Sequence, residues 1–348
     1  MFLEKALSKQ REQRLDASFN SFAELFKASC VSLLAANPLA QFCSRSPLHC
    51  GRTSMAWHSL KLTRRRFLIA GGTSLAAAAG LRIYTWRIEP HWVEIVDRQL
   101  PIANLPPEMI GKTLVQINDL HIGPVVDSDY VIGVMNTINA IEPDLIAITG
   151  DFMTYRHPDQ QDEVARVLEH LKPTRFGTVA ILGNHDYANN WQSYEVANLL
   201  ANRLTNVGIH VLRNESKQFG ELNIVGLDDL WGPNFAPDAV MKTVDASQAN
   251  LVLVHNPDAA DKDVWHGYQG WILSGHTHGG QCKPPFLPPP LLPVENRRYT
   301  SGEFQLTGNR QLYINRGIGY LLRVRFNARP EITRFHLVDA ATLSGSVA

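Results

Sequence analysis

The apolar run Thr178-Val179-Ala180-Ile181-Leu182 ends directly in Gly183-Asn184-His185-Asp186. Such a β-branched and aliphatic run, closed by glycine, reads as a buried strand. The polar residues after it then sit at a strand's carboxyl end, where open α/β sheets gather their ligands. A polar turn with a capping Asn or Asp explains the tetrad equally well when it is taken alone. The choice depends on whether other strands end the same way.

They do. Lys112 to Ile117 reads as a strand ending in Asn118-Asp119-Leu120-His121, and Leu145 to Thr149 as a strand ending in Gly150-Asp151. Leu251 to Val254 ends in His255, and Trp271-Ile272-Leu273 leads into Ser274-Gly275-His276-Thr277-His278. Between them, Tyr130–Ile141, Gln160–Leu171 and Trp191–Leu204 carry helical spacing. Further strands are expected at Trp92–Val96, Gly208–Leu212, Leu222–Leu227, Gln311–Ile314, Leu322–Phe326 and Ile332–Val338. Alternating strands and helices with strand-rich ends predict a layered α/β fold with mixed sheets.

The ligand types define a chemistry. Side chains at i and i+2 of a strand point the same way, so Asp119 with His121, and His276 with His278, can each present two ligands if extended geometry persists. Two metal ions sharing a bridging ligand need roughly seven to nine donors, with positions left for water and substrate. Asp119, His121, Asp151, Asn184, His255, His276 and His278 supply seven side chains. Imidazole and oxygen donors without thiolate suit Mn²⁺, Fe or Zn²⁺ better than Ca²⁺.

In this order, Asp-x-His, Gly-Asp, Gly-Asn-His-Asp, His and Gly-His-x-His resemble the calcineurin-like metallophosphoesterases. The resemblance runs from about His91 to Asp339. The ending Asn315-Arg316-Gly317-Ile318-Gly319, with Arg325-Phe326 and Arg329-Pro330-Glu331-Ile332, is similar to the bacterial branch of YkuE and YaeI type. It implies two mixed β-sheets packed as a sandwich and flanked by helices. It also implies two divalent metal ions: Asp119, His121 and His278 on one, Asn184, His255 and His276 on the other, and Asp151 bridging. His185 would then act on the phosphoryl or leaving oxygen, with Asp186 orienting it. The implied reaction is hydrolysis of phosphodiester or pyrophosphate bonds by a metal-bridging hydroxide, on a lipid-linked or nucleotide substrate. A phosphomonoesterase acting on a soluble substrate, and a non-catalytic metal or ligand-binding module, are the alternatives.

The N-terminal third carries targeting information. Thr63-Arg64-Arg65-Arg66-Phe67-Leu68 places a basic cluster before an apolar run from Phe67 to Leu81, of signal-peptide length and short for a membrane span. Ala76 to Ala79 suits a cleavage site, and the paired arginines resemble a twin-arginine export signal, although Ile69 stands where Lys is usual. A basic-ended core helix is the alternative, weakened by Gly71-Gly72. The expected organisation is a mis-called extension over 1–54 preceding a natural start at Met55, a twin-arginine signal or anchor over 55–84, and the phosphoesterase domain over 85–348. The expected partners are a phosphoester substrate, the export machinery and a membrane surface. The expected location is the periplasm or the outer face of the cytoplasmic membrane.

Composition narrows the rest. Thirty-three basic and 33 acidic residues leave no broad basic face, so no nucleic-acid partner is expected. Of four cysteines only Cys282 lies in the body, where a disulfide framework is excluded and an inert thiol is expected. His157, His210, His266 and His336 fall outside the five blocks and are expected at the surface or satisfied. Arg316 reads equally as a phosphate contact or a structural ion pair. Gly279-Gly280-Gln281 reads equally as a substrate approach or a tight turn. The proline-rich segment Pro284–Pro293 excludes helix and central strand. Its apolar residues Phe286, Leu287, Leu291 and Leu292 either pack on the domain or meet acyl chains.

Overall fold

The structure, a computed structural model, describes residues 63–344. The expected extension over 1–54, with Cys30, Cys43 and Cys50, and the expected start at Met55 lie outside the described residues.

Two six-stranded sheets form the body. The first has the order β1 (Glu94–Ile102), β12 (Glu331–Asp339), β2 (Thr113–Ile117), β3 (Leu145–Thr149), β4 (Thr178–Ile181) and β5 (Ile209–Val211). The second has the order β10 (Gly302–Gln305), β11 (Arg310–Ile314), β9 (Gly270–Ser274), β8 (Asn250–Leu253), β7 (Leu222–Gly226) and β6 (Glu215–Phe219). Both are mixed. β2 through β5 run parallel, as do β7, β8, β9 and β11, while β12 is antiparallel to β2, β6 to β7, and β10 to β11.

The strands face each other through one apolar layer. Leu114, Leu145, Ala147 and Val179 of the first sheet share a cluster with Leu251, Leu253, Leu273 and Tyr313 of the second. The outer face of the first sheet is covered by α2 (Ser128–Ile141), α3 (Gln160–Leu168) and α4 (Tyr194–Asn206). α2 shows why. Val131, Val134, Met135 and Ile138 recur at helical spacing and are all buried, each contributing roughly 1.5–3 kcal/mol. The helix stops where Glu142 turns left-handed ahead of Pro143. The two-sheet layered fold expected above is therefore the fold observed.

Three expectations change. Leu322–Phe326 is irregular, with a lone bridge from Phe326 to Cys282, and not a strand. Its backbone N–H groups are used elsewhere: Arg325 N donates to Thr85 O at 2.9 Å and Phe326 N to Gln281 O at 2.9 Å. β6 and β10 were not anticipated. β6 (Glu-Ser-Lys-Gln-Phe) lies at a sheet edge with four of five residues exposed, so it carries no apolar alternation. Finally, the segment after Thr63 is not a core helix. α1 (Arg64–Ile83) buries no residue and continues through a π-turn and a 3₁₀ turn to His91, a 28-residue helical stretch long and apolar enough to cross a membrane by length and composition. The expectation of too short a span stopped at Leu81, whereas Ile83, Trp86 and Ile88 extend the apolar stretch.

Candidate metal centre

All five ligand-bearing blocks follow strands that run parallel within their sheets. β2, β3 and β4 end in Asp119, Asp151 and Asn184, and β8 and β9 end in His255 and His276. Parallel neighbours put their carboxyl ends on one edge, and the face-to-face packing brings the two edges together. Gln116 of β2 joins them, donating to Thr149 Oγ1 of β3 and to Ser274 O of β9, both at 3.0 Å.

Extended geometry does not persist past the strands. Asp119, His121, Asp151, His276 and His278 have φ of 50°, 48°, 56°, 72° and 51°. These left-handed residues turn the chain back over the sheet edge. The paired ligands thus converge through tight turns and not through strand alternation. The turns need room. A side chain at Gly150 (φ 91°) would meet Gly183 N and His255 Nδ1 at 2.7 Å.

The side chains form two groups. Asp119, His121 and His278 offer donor atoms within 4.8 Å of one another, and so do Asp151, His255 and His276. His121 Nε2 and His278 Nε2 are 3.1 Å apart, and His255 Nε2 and His276 Nδ1 are 3.2 Å apart. Asp151 Oδ2 stands between the pairs, 3.1 Å from His255 Nε2 and 3.6 Å from His121 Nε2. Asn184 is fully buried with neither amide atom hydrogen-bonded. Asp119 Oδ1 is likewise buried without a partner, while its Oδ2 accepts from Asn118 and from His276 N.

Remote backbone sets the tautomers. His255 Nδ1–H donates to Thr149 O at 2.8 Å, which leaves Nε2 as the lone pair. His276 Nε2–H donates to Pro293 O at 2.8 Å, which leaves Nδ1 as the lone pair. Two lone pairs then face each other across 3.2 Å, an arrangement that repels unless a cation lies between them. Nitrogens bound to one ion at 2.0–2.1 Å stand roughly 3.0–3.4 Å apart. Burial pushes Asp119 up to about 7, against the pull of the His255 charge, and pulls His121 and His276 down to about 3. Burial also acts to lower His255, but the neighbouring carboxylates, Asp151 first, outweigh it and raise the group. Neutral imidazoles at His121 and His276, carboxylates beside His255 that favour a cation there, unpartnered amide and carboxylate oxygens and matching separations all fit divalent metal ions.

His185 is the half-exposed imidazole of the group, its ring 5.0 Å from that of His121. Asp186 does not contact it through a hydrogen bond. The carboxylate instead accepts from the backbone N–H groups of Gly183 (2.9 Å), Asp151 (3.0 Å), Phe152 (2.9 Å) and Met153 (3.4 Å). It knits the Asp151 turn to the Asn184 turn. The expectation that Asp186 orients the imidazole is corrected accordingly.

Several contributors were not anticipated. Trp191 stacks on Trp231 with ring centroids 5.2 Å apart and stands edge-on to His185 at 5.9 Å between centroids, while Trp231 meets His276 edge-on at 4.5 Å. These rings wall one side of the centre. Asp229 accepts from Trp231 N at 2.8 Å and holds that turn. The signal was present: Asp228-Asp229 follows the apolar β7 as the candidate ligands follow their strands. Arg325 is fully buried and donates to the carbonyls of Arg316, Gly317, Gly319 and Ala328, fixing the turn behind Asp119.

The remaining candidates resolve simply. Arg316 pairs with Glu331 and with Glu94, so its charge is taken up in the fold. His157, His266 and His336 pair with Asp159, Asp238 and Asp97, and His210 with Lys217. Cys282 is half-buried, and burial raises its thiol to about 11. Gly279 and Gly280 form a tight 3₁₀ turn pressed against Arg316 and Pro289.

Comparison with known proteins agrees with this geometry. Residues 112–280 match the family model for calcineurin-like phosphoesterases. The metallophosphoesterase YkuE of Bacillus subtilis is 34% identical over 291 residues, covering 80% of this chain and 98% of that protein. The phosphodiesterase YaeI of Escherichia coli is 33% identical over 286 residues, covering 80% of this chain and all of that protein. The UDP-2,3-diacylglucosamine pyrophosphatase LpxG of Chlamydia muridarum is 25% identical over 325 residues, covering 76% of this chain and 97% of that protein. The chain belongs to the calcineurin-like metallophosphoesterases, metal-dependent hydrolases of phosphoric esters.

Proposed function

We propose that the chain is an exported dinuclear-metal phosphoesterase that cleaves phosphodiester or pyrophosphate bonds, with a lipid-linked substrate the preferred class. The observation that carries this reading is Asp151 Oδ2 standing between two imidazole pairs. In it, Asp119, His121 and His278 hold one ion, Asn184, His255 and His276 the other, and Asp151 both, the ions being Mn²⁺, Fe or Zn²⁺. Bound there, two divalent ions activate water and polarise phosphoryl oxygens. The protein's own part is to orient. Thr149 O and Pro293 O aim the lone pairs of His255 and His276. Asp186 holds the two turns in register. His185, reached by solvent, donates a hydrogen bond or a proton to a phosphoryl or leaving oxygen.

The targeting segment completes the proposal. Residues 55–84 would direct export by the twin-arginine route and either leave or anchor the domain that follows, placing it in the periplasm or on the outer face of the membrane. Thr63 caps α1 by accepting from Arg66 N, so the paired arginines open the apolar helix.

The test is hydrolysis of bis-p-nitrophenyl phosphate against p-nitrophenyl phosphate with Mn²⁺, Zn²⁺ or Fe²⁺ supplied. The diester is expected to turn over faster. Faster monoester turnover would make the chain a phosphomonoesterase. Two bound ions with neither ester cleaved would make it a binding module. For export, R64K with R65K is expected to hold the protein in the cytoplasm, and unchanged export would remove the twin-arginine reading.

A further inference from the structure

The end of α1 and the proline-rich loop belong to one surface. Thr85 O, just past α1, accepts from Arg325 N at 2.9 Å, and Glu89 Oε1, fully buried, accepts from Ala328 N at 2.7 Å. From the same 322–328 segment, Phe326 O accepts from Lys283 N at 2.8 Å, Phe326 N donates to Gln281 O, and Leu322 O accepts from Gln281 Nε2 at 3.0 Å. The helical stretch and the loop that follows the ligand His278 are thus tied to a common strip of backbone. Along it Trp86, Ile88, Leu287 and Leu322 are exposed, and Phe286 is fully so.

The loop itself is held and aimed. Pro289 packs against Gly280, Arg297 Nη2 donates to Pro289 O at 3.0 Å, and Leu292 is buried. Its tip, Pro285 to Pro288, is exposed and carries Phe286 and Leu287, with Phe286 in a left-handed conformation at φ 65°. Strained backbone that exposes two large apolar side chains calls for a partner outside the domain. The loop's far end, through Pro293 O, touches the ligand His276.

We propose that this rim, formed by Trp86, Ile88, Phe286, Leu287 and Leu322, rests in a lipid bilayer and opens the metal centre toward the headgroup layer. The inference rests on the phosphoesterase reading above and specifies how its substrate arrives. The occupant follows from continuity. α1 is a 20-residue exposed helix about 30 Å long, the thickness of a bilayer core, and it leads without a break into the rim. Trp86 lies at the end of the span, as tryptophans do at membrane interfaces, with Arg82 and Arg87 beside it to meet lipid phosphates. Burying the tip residues and Leu322 in acyl chains contributes binding that a soluble ester cannot use.

The experiment uses the full chain in phosphatidylglycerol and phosphatidylcholine vesicles containing a diazirine phospholipid, with cross-linked peptides read by mass spectrometry. Cross-links on the peptides containing Phe286-Leu287 and Leu322, besides those on α1, are expected. Cross-links confined to α1 overturn the proposal whether or not the protein is active. A second arm compares F286S/L287S/L322S with the parent chain on bis-p-nitrophenyl phosphate and on a vesicle-embedded hexadecyl p-nitrophenyl phosphate. The variant is expected to lose about tenfold or more on the embedded ester while keeping its soluble rate and melting temperature. Equal loss on both esters, or no loss on either, overturns the docking surface. A parent chain inactive on the soluble ester with metals bound contradicts the underlying catalytic reading instead, and the cross-links still decide the surface.

Discussion

His121 and His278 bring their Nε2 atoms within 3.1 Å of each other although 157 positions separate them. The first follows a strand of one sheet and the second follows a strand of the other, so this pair spans the seam of the sandwich. A divalent ion bound there would join the two sheets as well as serve catalysis.

Removing the carboxylate nearest both imidazole pairs tests that coupling. Asp151→Ala will lose bound metal, measured by atomic emission, and activity together, and the added stability from metal will vanish from its melting curve. Two ions per chain retained in this variant would refute the bridging role.

His185 and Asp186 are adjacent and predicted to behave differently. His185→Ala will keep both ions and its melting temperature but lose on the order of 10²-fold in rate, as for a positioned donor. Asp186→Asn will instead destabilise the fold, by about 2–4 kcal/mol in denaturant titration, because an amide places N–H against backbone N–H in a fully buried site. An Asp186→Asn protein of normal stability with selectively reduced rate would restore the orienting role.

Arg316 is predicted to serve stability. Arg316→Ala leaves Glu331, nearly fully buried, without its cation and will cost about 3–5 kcal/mol. The KM for a soluble diester will stay near that of the parent chain at temperatures where the variant is folded. A KM raised tenfold with unchanged stability would make Arg316 a phosphate contact.

Cys282 provides a pH readout independent of metal. Its thiol is raised by burial to about 11, so the reactive thiolate is depleted at every pH below that and gained only as pH rises through it. At pH 8 about one molecule in a thousand carries the thiolate, against roughly a quarter for a free cysteine. Alkylation of Cys282, followed by peptide mass spectrometry, will be slow at pH 8 and accelerate through pH 10. Rapid modification at pH 7 would contradict the buried thiol.

The sequence by itself marked the candidate ligands at strand ends, and the structure gathers Asp119, His121 and His278, and Asp151, His255 and His276, into two groups. Asp119, Asp151, Asn184, His255 and His276 are each marked locally, by an apolar run that stops in a side chain able to ligate a metal. Local marking is legible because strand burial and ligand chemistry are both written in side chains. The arrangement of the centre is not local. Which imidazoles face each other depends on two sheets packing face to face, and which nitrogen each presents depends on Thr149 O and Pro293 O. Backbone carbonyls have no side-chain identity, so no residue pattern announces them. For the same reason Asp186, which binds four backbone N–H groups, looked like a partner of the histidine beside it. The left-handed turns at Asp119, His121, Asp151, His276 and His278 use residue types that tolerate that backbone better than most, but only the closure of the surrounding turns imposes it. Trp191 and Trp231 come from different loops, and only the tertiary structure stacks them into one wall.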